Sequence, residues 1–433
     1  MTTHAPSSNP PRSHPPKKFA EWSWILTLFG TAVGAGILYL PLQVGPWGLW
    51  SLVFLSALVF PLIYFSHKSV VSMLLLDSDS LDYTGVVARR FGPTFGLGVS
   101  IAFLLTFYVV LFSYSIGLNA NLGAFLFEMD ATSSNWAHGP FLSLIILAAF
   151  AALHALGDKV VMRLMSAISS ILLVVLLGIS LYLLPFWNLS LFRQIPTPAE
   201  FLDDVLLIFP LLAFSFVFFP AMSSMAAAYR SSRDHDPLDA HRRLSRAVLK
   251  TSALLLAFVL FFVFSCILSL EPSEFERAAA ENLNCLSLLS AKASIPDSMA
   301  HLSALVGLGA LITSFAGVFF AVRDAAHRLA HRALERLAPN HPPSRRRLLD
   351  ASIMAVLFSS LWIMTLANPS VMDLFGLLIS PLVAVFLFLL PVAVLVKTNG
   401  FLILKNPSLP FVFLVGALLL FSFKLGTWLE KFL

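Results

Sequence analysis

The groups in this sequence with the clearest chemical potential belong to the main chain. In "GTAVGAGILYLP", residues 30–41, Gly34 and Gly36 fall at the centre of the first long apolar segment. Glycine weakens a helix by roughly 1 kcal/mol relative to alanine, and hydrocarbon offers no water to the N–H and C=O groups that a helix break sets free. A break at this depth therefore predicts a site where backbone dipoles bind a polar molecule.

A second interruption lies in the sixth apolar segment, "LLIFPLLAFSFVFFPAMSSMAAAYR". It contains Pro210 and, near its centre, Pro220. Proline inside a helix removes one hydrogen bond and clashes with the preceding turn. Matched breaks in segments one and six are typical of transporters built as a five-plus-five inverted repeat, in which the substrate binds at the membrane midplane.

The two breaks predict what the site binds. The N–H groups that open the outer half-helix, at Ala35 and Gly36, attract a carboxylate. The carbonyls near Thr31, Ala32 and residues 214–216 attract an ammonium group or a metal cation. A zwitterionic amino acid can then bind without a buried carboxylate, and the acidic residues indeed lie near the ends of segments: Asp203, Asp204, Asp324 and Asp373.

Other interpretations of these patterns stay open. Gly and Pro also permit close helix packing, and a transporter homologue can act as a sensor. Asp77, Asp79 and Asp82 are a possible Mg²⁺ cluster of a prenyl-diphosphate enzyme, but no second acidic cluster accompanies them. A channel would carry polar rings along a pore, which the sequence does not contain. With no nucleophile triad, phosphate loop or thiolate metal site, we predict a protein that is not an enzyme and needs no cofactor or metal.

Two smaller groups of residues are interpreted as structural. His327 and His331 have the four-residue spacing of metal ligands on a helix, but their basic surroundings favour a solvated helix near lipid headgroups. Cys266 lies in an apolar segment and Cys285 in a loop, which favours two separate thiols over a disulfide.

The composition places these motifs in a membrane protein. Of 433 residues, 58% are hydrophobic and 12% charged, against about 25% charged in soluble domains. The Pro- and Ser-rich residues 1–21 are predicted to be a disordered cytoplasmic tail, residues 22–397 a ten-helix transport core, and residues 398–433 an eleventh span with a periplasmic C-terminus. The eleven predicted spans are 22–43, 47–75, 96–127, 139–157, 160–184, 201–228, 247–270, 299–323, 351–367, 371–396 and 408–426.

The charge pattern sets the predicted orientation. Of the 28 Lys and Arg residues, 23 fall on one side of the eleven spans, mostly in residues 229–250 and 323–347. The positive-inside rule places that side, with the N-terminus, in the cytoplasm. The net charge of +5 therefore reflects topology and does not indicate nucleic-acid binding. On the opposite side, "EPSEFERAAAENLNCLSLLS", residues 271–290, has helical periodicity and is predicted to form a lid over the outer mouth.

Four stretches carry a resemblance to a known family: "LFGTAVGAGILYLPLQVG", "SHKS", "FFVFSCILSL" and "NPSVMDLFGLLISPLVAVFLFLLP". From about Trp24 to Pro391 the chain resembles the hydroxy/aromatic amino acid permeases of bacterial inner membranes, within the amino acid/polyamine/organocation superfamily. The serine/threonine branch is the most similar. The resemblance implies an all-α LeuT-like fold with broken helices 1 and 6, and ion-coupled uptake of an amino acid, usually with a proton and alternatively with sodium.

The resemblance also implies roles for individual residues. Thr313 and Ser314 stand where sodium-coupled LeuT-like proteins place hydroxyl ligands, and His154 is a second candidate for ion coupling. Arg163, Arg323 and Asp324 are candidates for an inner gate. The predicted substrate-lining residues are Thr31, Ala32, Val33, Gly34, Ala35, Gly36, Tyr108, Tyr114, Phe216, Val217, Phe218, Phe219, Pro220 and Val318.

The chain departs from that family at two places. Serine/threonine relatives have Phe-Asn-His-Ser-Pro at the sixth-span break, where this chain has apolar residues at 217, 218 and 219. They also have a histidine on span eight where this chain has Val318. An apolar pocket selects by size rather than by hydrogen bonding to a hydroxyl group. We therefore expect a neutral amino acid with a larger apolar or aromatic side chain.

Overall fold

A computed structural model describes residues 21–45, 48–76, 82–155, 158–230, 237–290, 296–338, 342–399 and 408–429. Within these ranges the chain is helical and forms no strand. The helices are α1 (Glu21–Ala32), α2 (Ala35–Val44), α3 (Leu49–Leu74), α4 (Tyr83–Phe91), α5 (Pro93–Glu128), α6 (Pro140–Ala155), α7 (Asp158–Tyr182), α8 (Pro198–Ser215), α9 (Met222–Arg230), α10 (Pro237–Ser269), α11 (Pro272–Ala280), α12 (Cys285–Ser290), α13 (Asp297–Leu337), α14 (Pro343–Ala367), α15 (Val371–Asp373), α16 (Ser380–Val383), α17 (Leu390–Asn399) and α18 (Ser408–Leu429).

Helix lengths agree with the predicted spans. In the described part of the chain, eight helices are long and apolar enough to cross a membrane, and α1 with α2 form a ninth span bent by 51°. Two shorter apolar helices, Pro140–Leu153 and Ser170–Phe186, lie where spans four and five were predicted. Helices α15, α16 and α17 are joined by two π-helical segments into one span.

The helices extend further than hydropathy predicted. Helix α13 runs for 41 residues and α10 begins at Pro237. Much of the two basic segments, predicted as loops, therefore continues the helices of spans seven and eight. Arg and Ala are strong helix formers, so the helix persists where its sequence becomes too polar for hydrocarbon. At 1.5 Å per residue α13 is about 60 Å long, roughly twice the thickness of the hydrocarbon core.

The broken helices lie at the centre of the bundle. Helix α1 packs against α10, α2 packs against α8, and α5 packs along α13. The side chains of Ile25, Leu28, Leu40 and Val44 on the first span are fully buried by these neighbours. Long helices on several sides therefore hold both breaks in place.

Candidate substrate site at the broken helices

The first span is interrupted where the glycines predicted it. Helix α1 ends at Ala32, and α2 begins at Ala35 after an extended Gly34. The Ile37 N–H donates to the Gly34 carbonyl (3.1 Å). The first N–H groups of any helix have no partner within it, so those of Ala35 and Gly36 point out of the start of α2. The break can therefore bind an anionic group through its main chain.

Gly34 is required at the break by the closeness of its neighbour, since its extended backbone is one that any residue adopts. A Cβ atom at this position would overlap the hydroxyl oxygen of Ser314 on α13. The structure thus brings one of the two predicted hydroxyl ligands directly to the break. The other, Thr313, donates to the Ala310 carbonyl of its own helix (3.0 Å).

The sixth span is interrupted as well. Helix α8 ends at Ser215, residues 217 and 218 are not helical, and a single 3₁₀ turn, Phe219–Ala221, leads into α9. Pro220 has no N–H to give to a continuing helix. The matched interruptions that the sequence predicted in spans one and six are therefore both present.

Two of the phenylalanines at the second break pack against neighbouring helices. Phe219 lies in an aromatic cluster with Tyr83 (centroids 5.6 Å apart), Phe103 and Phe107 (each 6.3 Å). Phe218 stacks on the ring of His67 from α3. Together with Phe216, which is also buried, they make this break an apolar wall.

Sequence reasoning missed two aromatic rings beside the outer half-helix. A Cβ atom on Gly36 would lie 3.1 Å from the ring of Phe214. The Phe214 ring lies 5.0 Å from that of Phe375, which lies 6.0 Å from the ring of Tyr39. The available signal was the "MDLFG" stretch at the start of span ten, which contains Phe375. The Phe214 ring thus covers Gly36 in the first turn of α2, and Phe375 and Tyr39 extend this apolar surface.

The segment predicted as a lid packs onto the outer ends of the spans. The side-chain carbonyl of Asn121 on α5 accepts three hydrogen bonds, from the main-chain N–H of Asn284 (2.9 Å), from its side-chain amide (2.8 Å) and from the Ser287 hydroxyl (2.7 Å). All three residues are buried. The lid is thus joined to span three by a buried polar network.

Asn282 joins the same lid to three more spans. Its side-chain carbonyl accepts the Val371 N–H (2.8 Å), its amide donates to Asn368 (3.1 Å), and its main-chain carbonyl accepts the Tyr39 hydroxyl (3.2 Å). At Gly45, which follows α2, a Cβ atom would lie 2.5 Å from the ring of Phe275 in the lid. Residues 271–290 are therefore packed onto the ends of these spans, and their role as a lid over the outer mouth stays a prediction.

Other predicted lining residues lie in different surroundings. The Tyr108 hydroxyl donates a hydrogen bond to Ser360 on α14 (2.7 Å). Thr31 is exposed, and its hydroxyl donates to the Thr27 carbonyl of its own helix (2.8 Å). Tyr114 and Ala32 are buried. Four further predicted lining residues are partly buried: Val33, Val217, Pro220 and Val318.

The predicted inner-gate pair lies within one helix. The Arg323 guanidinium binds the carboxylate of its neighbour Asp324 (2.9 Å) on α13. The side chains of Ala35, His154 and Arg163 lie outside the described part of the chain, so their predicted roles stay predictions.

One group near the far end of α13 has the composition of a metal site. One ligand atom from each of His327, His331 and Asp350 lies within 4.8 Å of the others. Asp350 is hydrogen-bonded to His331 (2.7 Å), so the group links α13 to α14. Both cysteines are free and buried in this structure, and the expectation that they do not pair stays a prediction.

An all-helical bundle of membrane-spanning helices whose first and sixth spans are both interrupted has the architecture of a LeuT-like transporter. The chain belongs to the tryptophan/tyrosine permease family, whose model matches residues 19–337. It is similar to the serine transporter SdaC of Escherichia coli K12, with 28% identity over 382 residues, 86% of this chain and 87% of the relative. SdaC of Shigella flexneri is 27% identical over the same length.

Two solved structures share the fold. MhsT in complex with L-phenylalanine superposes with a TM-score of 0.57 at 15% identity, covering 93% of this chain and 99% of MhsT. The inward-facing form of Mhp1 superposes with a TM-score of 0.50 at 15% identity, covering 99% and 96%. The predicted fold class and family are therefore confirmed. The protein is a multi-pass amino acid transporter and not an enzyme.

Proposed function

We propose that this protein takes up a neutral amino acid with an apolar or aromatic side chain, coupled to a cation, by alternating access. The substrate carboxylate binds the N–H groups that begin α2, and its ammonium group binds carbonyls at the end of α1 and beside the sixth-span break. The aromatic surface of Phe214, Phe216 and Phe375 receives the side chain. We further propose a bacterial inner-membrane location with the N-terminus in the cytoplasm.

The observation that carries this proposal is the environment of the two breaks. Helix termini supply charge complementarity, and the side chains that a Cβ atom on Gly34 or Gly36 would meet are those of Ser314 and Phe214. This combination suits a molecule with a zwitterionic head and an apolar body. The solved complex of MhsT with L-phenylalanine has the same fold, which supports the proposed chemical class of substrate.

We propose the proton as the coupling cation. One charge crossing 100 mV supplies roughly 2.3 kcal/mol, which supports a concentration ratio of about fifty for a neutral solute. Sodium is the alternative, for which the Ser314 hydroxyl beside Gly34 is a candidate ligand, since hydroxyl oxygens bind hard cations.

Counterflow in proteoliposomes tests the proposal. Purified protein is reconstituted with each of the twenty amino acids inside in turn, and entry of the same labelled amino acid is followed. Apolar or aromatic amino acids should give counterflow and serine should give little. Repeating the uptake with a pH gradient or a sodium gradient identifies the cation. Counterflow with serine alone would contradict the proposed specificity.

A further inference from the structure

A buried histidine that the sequence analysis did not assign contacts the sixth-span break. His67, in the "SHKS" stretch of α3, has no solvent exposure. Its ring stacks on Phe218, with centroids 3.7 Å apart and planes inclined by 17°. Phe218 is one of the non-helical residues between α8 and the turn that follows. The imidazole is thus packed against the backbone that forms the break.

The hydrogen bonds of His67 define its protonation state. Its Nδ1 lies 2.8 Å from the Ile63 carbonyl oxygen, which can only accept, so Nδ1 carries a hydrogen. The Phe218 main-chain N–H, which can only donate, points at Nε2 (3.3 Å). Nε2 must therefore be unprotonated. In this conformation His67 is a neutral imidazole whose Nε2 lone pair accepts a main-chain hydrogen bond at the break.

Protonation of Nε2 is incompatible with this arrangement. The imidazolium has a hydrogen on both nitrogens, so two donors would face one another between His67 and Phe218. The hydrogen bond would be lost, and a buried amide without a partner is unfavourable. A proton on His67 therefore requires the backbone near Phe218 to move, and the arrangement seen here requires the proton to leave.

Several ionisable groups on the helices around α3 are engaged with other partners. On α3 itself, the Lys68 ammonium lies over the Tyr64 ring. The Asp204 carboxylate on α8 accepts a hydrogen bond from Ser51 on α3. Ser51 lies sixteen residues before His67, which is about 24 Å along the axis of α3. Further examples are Tyr83 on α4, which donates to the Phe386 carbonyl, and Tyr229 on α9, which donates to Asp239 on α10. His241 on α10 contacts Ser72, and Lys397 on α17 lies over the Phe91 ring.

We propose that His67 is the proton-binding group that couples cation movement to the conformation of the sixth-span break. This inference rests on the proposed function, of which it names the coupling site. Nε2 takes up a proton when the Phe218 N–H turns away, and releases it when that hydrogen bond forms again. Because substrate binds beside the same break, substrate and proton alter each other's affinity by the same factor.

The discriminating variant is His67→Gln, whose side-chain amide can accept from the Phe218 N–H and donate to the Ile63 carbonyl but cannot be protonated. We expect it to retain counterflow within about twofold of wild type and to lose accumulation driven by a pH gradient. His241→Gln is the matched control and should retain both activities, because His241 lies on α10 and its described hydrogen bond is to Ser72 of α3, five residues after His67.

Two results would overturn the assignment. Accumulation by His67→Gln equal to wild type would show that the proton binds elsewhere, and loss of counterflow as well would make His67 a packing residue only. Nitrogen NMR of histidine-labelled protein provides a readout that does not depend on transport, with the His67 signal identified by its absence from His67→Gln. We expect the Nδ1–H tautomer at mildly alkaline pH and an imidazolium at mildly acidic pH. A His67 signal that stays that of a neutral imidazole at both pH values would also reject the proposal. Absence of counterflow in the wild-type protein would instead contradict the proposed function.

Discussion

The hydroxyl group of Ser314 lies against the main chain of Gly34 and occupies the space that a side chain there would need. This contact joins span eight to the break in span one. The first N–H groups of α2, next to this contact, have no partner within their own helix.

The first prediction concerns this contact. We expect Gly34→Ala to reduce uptake at least tenfold, because the new methyl group overlaps the Ser314 hydroxyl and displaces the break. Adding Ser314→Ala should restore part of the uptake, since it removes the overlapping oxygen. Initial rates in proteoliposomes measure both.

Gly30→Ala is the control for that pair, because a Cβ atom at Gly30 would have no neighbour within 4 Å. It should transport like wild type. Equal losses in Gly30→Ala and Gly34→Ala would mean that span one tolerates no added methyl group, and the contact with Ser314 would then have no special role.

The second prediction concerns the lid. Asn121→Ala removes the acceptor of three buried donors, and each unpaired donor costs about 1–3 kcal/mol. We expect the lid to open more often, which increases the alkylation of Cys285 and slows net uptake. Ser287→Ala removes only one of the three bonds and should give a smaller change in the same direction. An identical alkylation rate in all three proteins would contradict the role of this network.

The third prediction uses the chemistry of Cys285 in the lid. Burial raises the pKa of its thiol well above the usual range. Since only the thiolate reacts, alkylation at neutral pH should be slow and should continue to rise with pH beyond the range where an ordinary thiol is fully ionised. The rate is measured in Cys266→Ser protein, so that one thiol is observed. A rate that levels off in the ordinary thiol range would show that Cys285 is solvated.

The fourth prediction separates two phenylalanines. Phe214→Ala should weaken binding of aromatic substrates, seen as a raised KM, because its ring covers Gly36. Phe219→Ala should instead lower stability, by about 3–5 kcal/mol for a buried phenylalanine, with little change in the preference among substrates. Thermal unfolding and competition among amino acids distinguish the two. A change in substrate preference with Phe219→Ala alone would reverse these assignments.

The sequence was sufficient to predict the fold because its signals are local. Apolar segments of membrane-spanning length predicted the spans, and Gly34 and Pro220 marked both breaks without knowledge of their neighbours. The lid was predictable from helical periodicity between two spans. Helix ends were predicted less well, since Arg- and Ala-rich stretches continue a helix beyond the membrane.

Side-chain partners could not be predicted in this way. Asn121 and Asn284 are separated by 163 positions, and His67 and Phe218 by 151. No periodicity or spacing connects such residues. Tyr108 shows the same limit, because its helix was predicted correctly but its hydroxyl binds Ser360 on span nine.

The length of α13 has a mechanical consequence. From Ser314 to Leu337 the helix is uninterrupted, so a rigid arm of about 35 Å leads away from the first-span break. A small tilt that starts there becomes a displacement of several ångströms at the far tip. Paired spin labels placed near that tip and on α14 would therefore report the transport cycle from outside the bilayer.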